Sequence, residues 1–236
     1  MKDITEFFAN INSFICPELF QKHLEGYNDL ENIWDILKRI QKGFIAEALK
    51  KIGPKVLGTI EEGAFVRGDV YVGKGALIEA GAMVIGPTII CDSAEVRHGA
   101  YVRGNVILGE KAVAGHTSEF VRCVLMPDAK APHFNYVGDS ILGTGVNLGA
   151  GTKLSNLKND GTNVKLRIGL SAIDTGLRKF GSILGDNCKL GCNSVANPGT
   201  VLEPGVAVYP CASINGYIEQ NSIVKLKQTL KTGNKS

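Results

Sequence analysis

His133 sits in a stretch whose neighbours can aim it. Residues 130–152 read KAPHFNYVGDSILGTGVNLGAGT. Pro132 fixes its own backbone angle and restricts the residue beside it, which holds the following imidazole in a set direction. Histidine is the side chain best suited to take up a proton near neutral pH. Acyl transfer to an amine needs such a base, because an incoming ammonium must lose a proton before its nitrogen attacks a thioester. The reaction also needs donors for the developing oxyanion. The turn Asn147-Leu148-Gly149-Ala150-Gly151 offers backbone N–H groups for that purpose.

Each of these residues also has a plainer use. A lone histidine at an irregular turn is more often structural than catalytic. Asn147 and Asn156 close turns, since asparagine tolerates a left-handed backbone and bonds its own chain. Tyr136 packs against the end of a core. Arg103, like Arg97, belongs to a solvated face, and Glu119 to a surface pair of little energetic worth. The elements that carry these residues are therefore the next question.

From Ile60 the chain repeats every six residues. Val66, Val72, Ile78, Val84, Ile90, Val96, Val102, Leu108, Ala114 and Phe120 share one phase, each preceded two positions earlier by a small or β-branched residue. The rhythm returns at Leu142, Leu148 and Leu154, and again from Leu184 to Ile214. One hexad makes a short strand and a turn, three strands wrap into a triangular coil, and stacked coils gather the aliphatic positions into a central column. The expected fold class is all-β, with residues 54–218 forming the coil array. Two segments leave the rhythm: the stretch around His133, read as an interruption that pushes a base out of the prism wall, and an excursion at 155–181 in which VKLRIGL is a candidate strand. Residues 1–53 read as helical, with Pro17 near the start of one helix and Gly26 at its end. A second helix runs from an Asp29 N-cap to Gly53-Pro54, weakened slightly at Gly43. Residues 219–236 form a basic tail.

Composition agrees with a repeat protein: 29 glycines in 236 residues and only 7% aromatics imply many tight turns and few bulky core residues. The net charge of +3 is too weak to imply nucleic acid as a partner. The six cysteines include no C-x-x-C pair, so they read as buried, reduced thiols, not as a zinc cluster. The N-terminus MKDITEFFANINSF has acids where a signal peptide needs basic and apolar blocks. With no run long enough to span a bilayer, the expectation is a cytoplasmic protein.

The hexads resemble the left-handed parallel β-helix of hexapeptide acyltransferases over about two-thirds of the chain, and the left-handed sense comes from that resemblance alone. The segment PHFNYVGDSILGTGVNLGAGT with the following SNL, the run RKFGSILGDN, and Trp34-Asp35-Ile36-Leu37 carry a closer likeness. They resemble the acetyltransferase half of bifunctional glucosamine-1-phosphate acetyltransferase/N-acetylglucosamine-1-phosphate uridyltransferases and of archaeal-type sugar-1-phosphate nucleotidylyltransferases. The resemblance implies His133 as general base, Glu119 as the acid that orients it, and Tyr136, Asn147 and Asn156 as sugar contacts. It implies Arg103 as the phosphate anchor, the Ala150 amide at acetyl-CoA, and Gly191 and Cys192 along the coenzyme groove. No metal is required by that chemistry, and the assembly implied is a homotrimer with sites between adjacent β-helices.

Two departures stand out. Val121 replaces a family lysine, with Arg122 one position later as the nearest substitute for a phosphate contact. The family's other lysine, in the loop after Asn156, has only Lys158 or Lys165 as a stand-in. No nucleotide-binding G-x-G-x-x-G or P-loop follows a predicted strand, so uridyl transfer is not expected of this polypeptide and would fall to a separate nucleotidyltransferase subunit. The expected function is acetyl-CoA-dependent N-acetylation of an amino-sugar phosphate such as a hexosamine 1-phosphate. The alternatives are a non-catalytic scaffold or binding trimer, and an acyltransferase for a different acceptor.

Overall fold

The computed structural model describes residues 3–27 and 29–230. Among them, short strands assemble into three parallel sheets of nine, nine and eight strands. The chain visits the sheets in turn: Thr88–Ile90 lies in the first, Glu95–Val96 in the second, Tyr101–Val102 in the third, and Val106–Leu108 returns to the first beside Thr88–Ile90. This is the parallel β-helix that the hexads predict. The aliphatic column runs through its middle, with Val84, Ile90, Val96, Val102, Leu108, Phe120, Leu142, Leu148 and Leu154 all fully buried.

The array does not break at His133. Lys130–His133 is a regular strand of the second sheet, with Ala131 in the column and His116 opposite His133. What disturbs the rhythm is two steps of five residues, Phe120 to Leu125 and Val137 to Leu142. Each turns the corner between third and first sheets through one residue at positive φ, Arg122 at 47° and Asp139 at 45°. Shortening a corner by one residue shifts the phase of everything after it while leaving the stack intact. The register across both steps stays parallel, Val106 opposite Cys123 and Val124 opposite Ile141.

The N-terminal segment is less helical than its pattern predicts. Pro17–Phe20 forms a single 3-10 turn in place of a helix reaching Gly26. The second expected helix is two, α2 at Asp35–Gln41 and α3 at Phe44–Ile52, after a short α1 at Ile4–Phe7. Gly43 at φ 98° ends one and starts the other; glycine adopts that angle without the Cβ clash other residues meet. Asp29 caps neither. Asp35 instead accepts from the backbone N–H groups of Glu31 and Asn32.

Tertiary packing explains the departure. The residues just before the column positions of the first-sheet strands, Ile89, Ile107, Val124, Ile141, Ile183 and Val201, point outward yet are fully buried, because Phe7, Trp34, Leu37, Ile40 and Ile45 lie over them in one cluster. Burying each such side chain contributes about 1.5–3 kcal/mol before ordering entropy is counted. Short, irregular pieces held by that surface need no intrinsic helix stability. Arg39, 1% exposed, secures the irregular turn by donating to the carbonyls of Leu19, Gln21 and Lys22.

The excursion contains an antiparallel hairpin, Lys165–Ile168 with Ser171–Asp174, whose inner side is packed through Val164, Leu166 and Phe180. Paired rungs continue past residue 218 to Ile223–Val224. The tail's last six residues, 231–236, lie outside the described residues. Among the described residues no helix is long and apolar enough to cross a membrane, and no three His, Cys, Asp or Glu side chains converge as a metal site. Cys16, Cys91, Cys123 and Cys188 are buried as expected, whereas Cys192 and Cys211 are exposed. Both occupy outer corner turns of the coil array, where no packing covers the side chain.

Candidate active site

The corner between second and third sheets carries the first group of expected site residues. His133 ends its strand there, with its side chain exposed. The Gly151 N–H donates to the His133 carbonyl at 3.0 Å, and one coil further up Asn193 N–H donates to the Ala150 carbonyl at 2.8 Å. His133, Ala150 and the Gly191-Cys192 pair thus climb one edge of the prism. Gly149 is required in this stack: a Cβ there would lie 2.5 Å from the Cys192 nitrogen.

Asn135 joins the base to the amide turn, a residue that sequence reasoning passed over. Its Oδ1 accepts from His133 N–H at 3.1 Å, while its Nδ2 donates to the carbonyls of Gly149 at 2.8 Å and Thr152 at 3.3 Å. Its own N–H donates to Ser118 Oγ at 2.9 Å, and it is 2% exposed. A buried amide with its polar atoms matched fixes the geometry of both turns.

Below His133 the same edge holds two more imidazoles. His116 Nδ1 faces the His98 carbonyl at 2.8 Å and His98 Nδ1 faces the Ala80 carbonyl at 2.6 Å. A carbonyl oxygen only accepts, so each Nδ1 carries a proton that points at the coil below. The two rings stack at 5.8 Å, and His116 meets Phe134 edge-on at 5.5 Å. The signal was present in the sequence: positions 98, 116 and 133 are spaced by one coil.

The third sheet supplies the second group. Tyr101, Glu119, Tyr136 and Lys153 lie opposite one another on successive strands. Glu119 is held by Arg103, Nη1 to Oε1 at 2.5 Å, and the guanidinium lies 5.8 Å from the Tyr101 ring centroid. Among the described residues no hydrogen bond joins Glu119 to the His133 ring. The Glu119 contact raises the pKa of Arg103, keeping it charged. Burial chiefly, then the charges of Glu119 and Asp139, push the Tyr136 phenol up.

At the far edge of that sheet, Arg122 and Asn156 converge on Asp139. Arg122 Nε and Nη2 donate to its two oxygens at 2.6 and 2.8 Å, and Asn156 Nδ2 donates to Oδ2 at 2.6 Å. Val121 is 5% exposed, and Arg122 is consumed by this pair. Asn147 is not brought to this group within one chain. It faces outward from the second sheet between Lys130 and Lys189, in a groove of about 450 Å³.

Comparison with known proteins adds the family context. A family profile described as "GMPPB C-terminal domain" matches residues 84–174. The chain is 38% identical over 208 residues to a "Bifunctional protein GlmU" of Methanococcus maripaludis (strain C7 / ATCC BAA-1331), covering 88% of this chain and 49% of that protein. It is 35% identical over 159 residues to a "Bifunctional sugar-1-phosphate nucleotidylyltransferase/acetyltransferase" of Sulfurisphaera tokodaii, covering 67% of this chain and 40% of the relative. The chain therefore spans about half the length of the curated relatives it matches. Among solved structures, the acetyltransferase domain of PglB from Neisseria gonorrhoeae FA1090 in complex with acetyl coenzyme A covers 79% of this chain and 62% of its own, at 17% identity and a TM-score of 0.30; that likeness is too loose to bear on the site. The chain is a hexapeptide-repeat β-helix protein, and over most of its length it is similar to these bifunctional sugar-phosphate enzymes.

Proposed function

We propose that the chain is an acetyl-CoA-dependent N-acetyltransferase acting on an amino-sugar phosphate, with a hexosamine 1-phosphate as the type of acceptor. The observation that carries this reading is the Asn135 bridge: one buried side-chain amide ties the backbone of an exposed imidazole to the Gly149 carbonyl, in the turn whose Asn147, Gly149 and Gly151 N–H groups are spent on the coil and whose Ala150 amide is the one assigned to the oxyanion. A base and an oxyanion donor held in fixed relation are what aminolysis of a thioester needs.

In this mechanism the acceptor's ammonium first gives one proton to solvent, and the resulting amine attacks the thioester carbon as His133 takes a second proton from its nitrogen. The amide near Ala150 receives the oxyanion as the C–N bond forms. Collapse breaks the C–S bond, and the imidazolium returns its proton to the departing thiolate. The products are the N-acetyl sugar phosphate and free coenzyme. Gly191 and Cys192, directly above Ala150, line the coenzyme's path. Arg103 anchors the phosphate. In the ligand-free chain Glu119 occupies that guanidinium, but an exposed pair of this kind is worth only about 0–1 kcal/mol, so a phosphate dianion displaces it at small cost. Glu119 is then released to orient His133. Asn156 and Tyr136 meet the sugar. Asn147, on another face, serves the site of a neighbouring copy in a three-fold assembly. A cytoplasmic location and a separate nucleotidyltransferase partner complete the reading, with residues 54–218 as its catalytic domain.

One observation favours a second reading. With Val121 buried and Arg122 engaged by Asp139, Arg103 is the sole phosphate contact that this face offers among the residues matched to the family. An acyltransferase for an acceptor without phosphate, or a non-catalytic binding trimer, would need no more. Calorimetry with acetyl-CoA, followed by thiol release with glucosamine 1-phosphate, galactosamine 1-phosphate and their unphosphorylated sugars, separates the three. Turnover confined to the phosphates supports the proposal. Equal turnover of the free sugars transfers it to the second reading, and absence of coenzyme binding by the intact assembly removes the enzyme.

A further inference from the structure

We infer that Asp139 is a positioning residue for the acceptor and that Gln41, on the N-terminal segment, is the other half of the same device; the inference rests on the N-acetyltransferase reading. Asp139 is fully buried and receives four donors. Its Oδ1 accepts from Arg122 Nε at 2.6 Å and Gln41 Nε2 at 2.9 Å, while its Oδ2 accepts from Arg122 Nη2 at 2.8 Å and Asn156 Nδ2 at 2.6 Å. The Gln41 amide also donates to the Lys179 carbonyl at 2.8 Å. It thereby pins the last residue of α2 to the corner where the excursion rejoins the coil.

Arg122 alone would neutralise the carboxylate. The two remaining donors have a different consequence. With its nitrogen claimed by Asp139, Asn156 cannot flip its amide, so its oxygen is presented as an acceptor on the other side. The Asn156 side chain lies beside the Tyr136 hydroxyl and lowers its pKa against the larger effect of burial. Gly138 leaves the space in which these tips meet: a Cβ there would lie 2.6 Å from Tyr136 Oη and 2.7 Å from Asn156 Nδ2. A chain of contacts therefore runs from Gln41 through Asp139 and Asn156 to Tyr136, two residues assigned to the acceptor and none to the coenzyme. Residues that orient the ligands of a metal site typically cost about 10–100-fold in affinity or activity when removed, and the effect expected of Asp139 is set on that scale by analogy.

The test compares Asp139→Asn and Gln41→Leu with the unaltered protein in steady-state kinetics and acetyl-CoA calorimetry. Asparagine keeps the shape and tolerates the positive φ of 45°, while removing the charge. We expect the acceptor KM to rise about tenfold or more in Asp139→Asn and at least about threefold in Gln41→Leu, with acetyl-CoA affinity unchanged. A parallel loss of coenzyme affinity, or an unchanged acceptor KM in the folded variants, would overturn the inference. Gln41→Leu removes one partly exposed donor and leaves Arg122 paired, so it stays informative if Asp139→Asn fails to fold. A ligand-free arm follows the Asn156 side-chain amide and Tyr136 ring resonances by NMR. Displacement of both in Gln41→Leu supports the linkage even if no acceptor is ever acetylated, in which case the N-acetyltransferase reading alone falls. Resonances identical to those of the unaltered protein reject the linkage whatever the kinetics show.

Discussion

Arg103 and Glu119 close on each other at 2.5 Å in the middle of the third sheet's outer face, so the residue suited to bind a phosphate is already holding an anion. Both members are substantially exposed, at 44% and 36%. A ligand phosphate with two charges competes well against one screened carboxylate. Glu119→Gln should therefore lower the acceptor KM while also lowering kcat, because it frees the guanidinium and removes the group assigned to orient His133. Arg103→Ala should raise the acceptor KM by about tenfold with little effect on acetyl-CoA. Kinetics with varied acceptor check both. A Glu119→Gln enzyme whose KM and kcat are both unchanged would reduce the pair to a surface contact.

The histidine edge makes a second, comparative prediction. His116 has its Nδ1 anchored on a carbonyl, whereas His133 lies against the amide turn. If position relative to the turn decides, His133→Ala loses about 10²–10⁴ in turnover and His116→Ala loses less than about tenfold. Single-turnover assays at saturating acetyl-CoA distinguish them. The reverse ranking would transfer the role of base to His116.

Thiol chemistry gives a third test. Burial pushes the Cys16 and Cys188 thiols up to about 12, and raises Cys91 and Cys123 as well. At neutral pH these four stay protonated, and the thiolate is the reactive form. Of six cysteines, Cys192 and Cys211 alone should react rapidly with an aromatic disulfide reagent in the folded protein. Acetyl-CoA should protect Cys192. Failure of the coenzyme to slow that labelling would remove Cys192 from the groove.

How far the sequence disclosed this arrangement depends on the range of the interactions. The column was legible because each hexad repeats its own local instruction, as Val84, Ile90 and Val96 do. The covered face was also written there: Thr88-Ile89-Ile90, Val106-Ile107-Leu108 and Cys123-Val124-Leu125 are apolar on both sides of a strand, at every third strand. That triplet rhythm was overlooked beside the stronger period of six. The two corners at Arg122 and Asp139 were misread as a break at Pro132-His133, because a shift in phase and an interruption look alike until the register is known. Asn135 gave only a weak signal, an asparagine in a corner. The Gln41–Asp139 contact spans 98 positions, and no local pattern encodes it.

The last prediction separates the prism from its cover. Val84 and Ile107 are both fully buried, yet Val84 faces the central column and Ile107 faces the N-terminal segment. An unpaired charge in either place is costly. In the column the charge has no exit, since coils above and below enclose it, and Val84→Asp should abolish folding. Against the outer face there is a cheaper escape: the N-terminal segment lifts away and water reaches the carboxylate. Ile107→Asp should therefore keep the β-sheet circular dichroism while residues 3–52 become sensitive to limited proteolysis. Through Gln41 the same detachment should weaken acceptor handling before it affects acetyl-CoA binding. If Ile107→Asp lost its β-sheet signal as fully as Val84→Asp, the segment would be part of the cooperative unit that folds the coils, and the division between prism and cover would not hold.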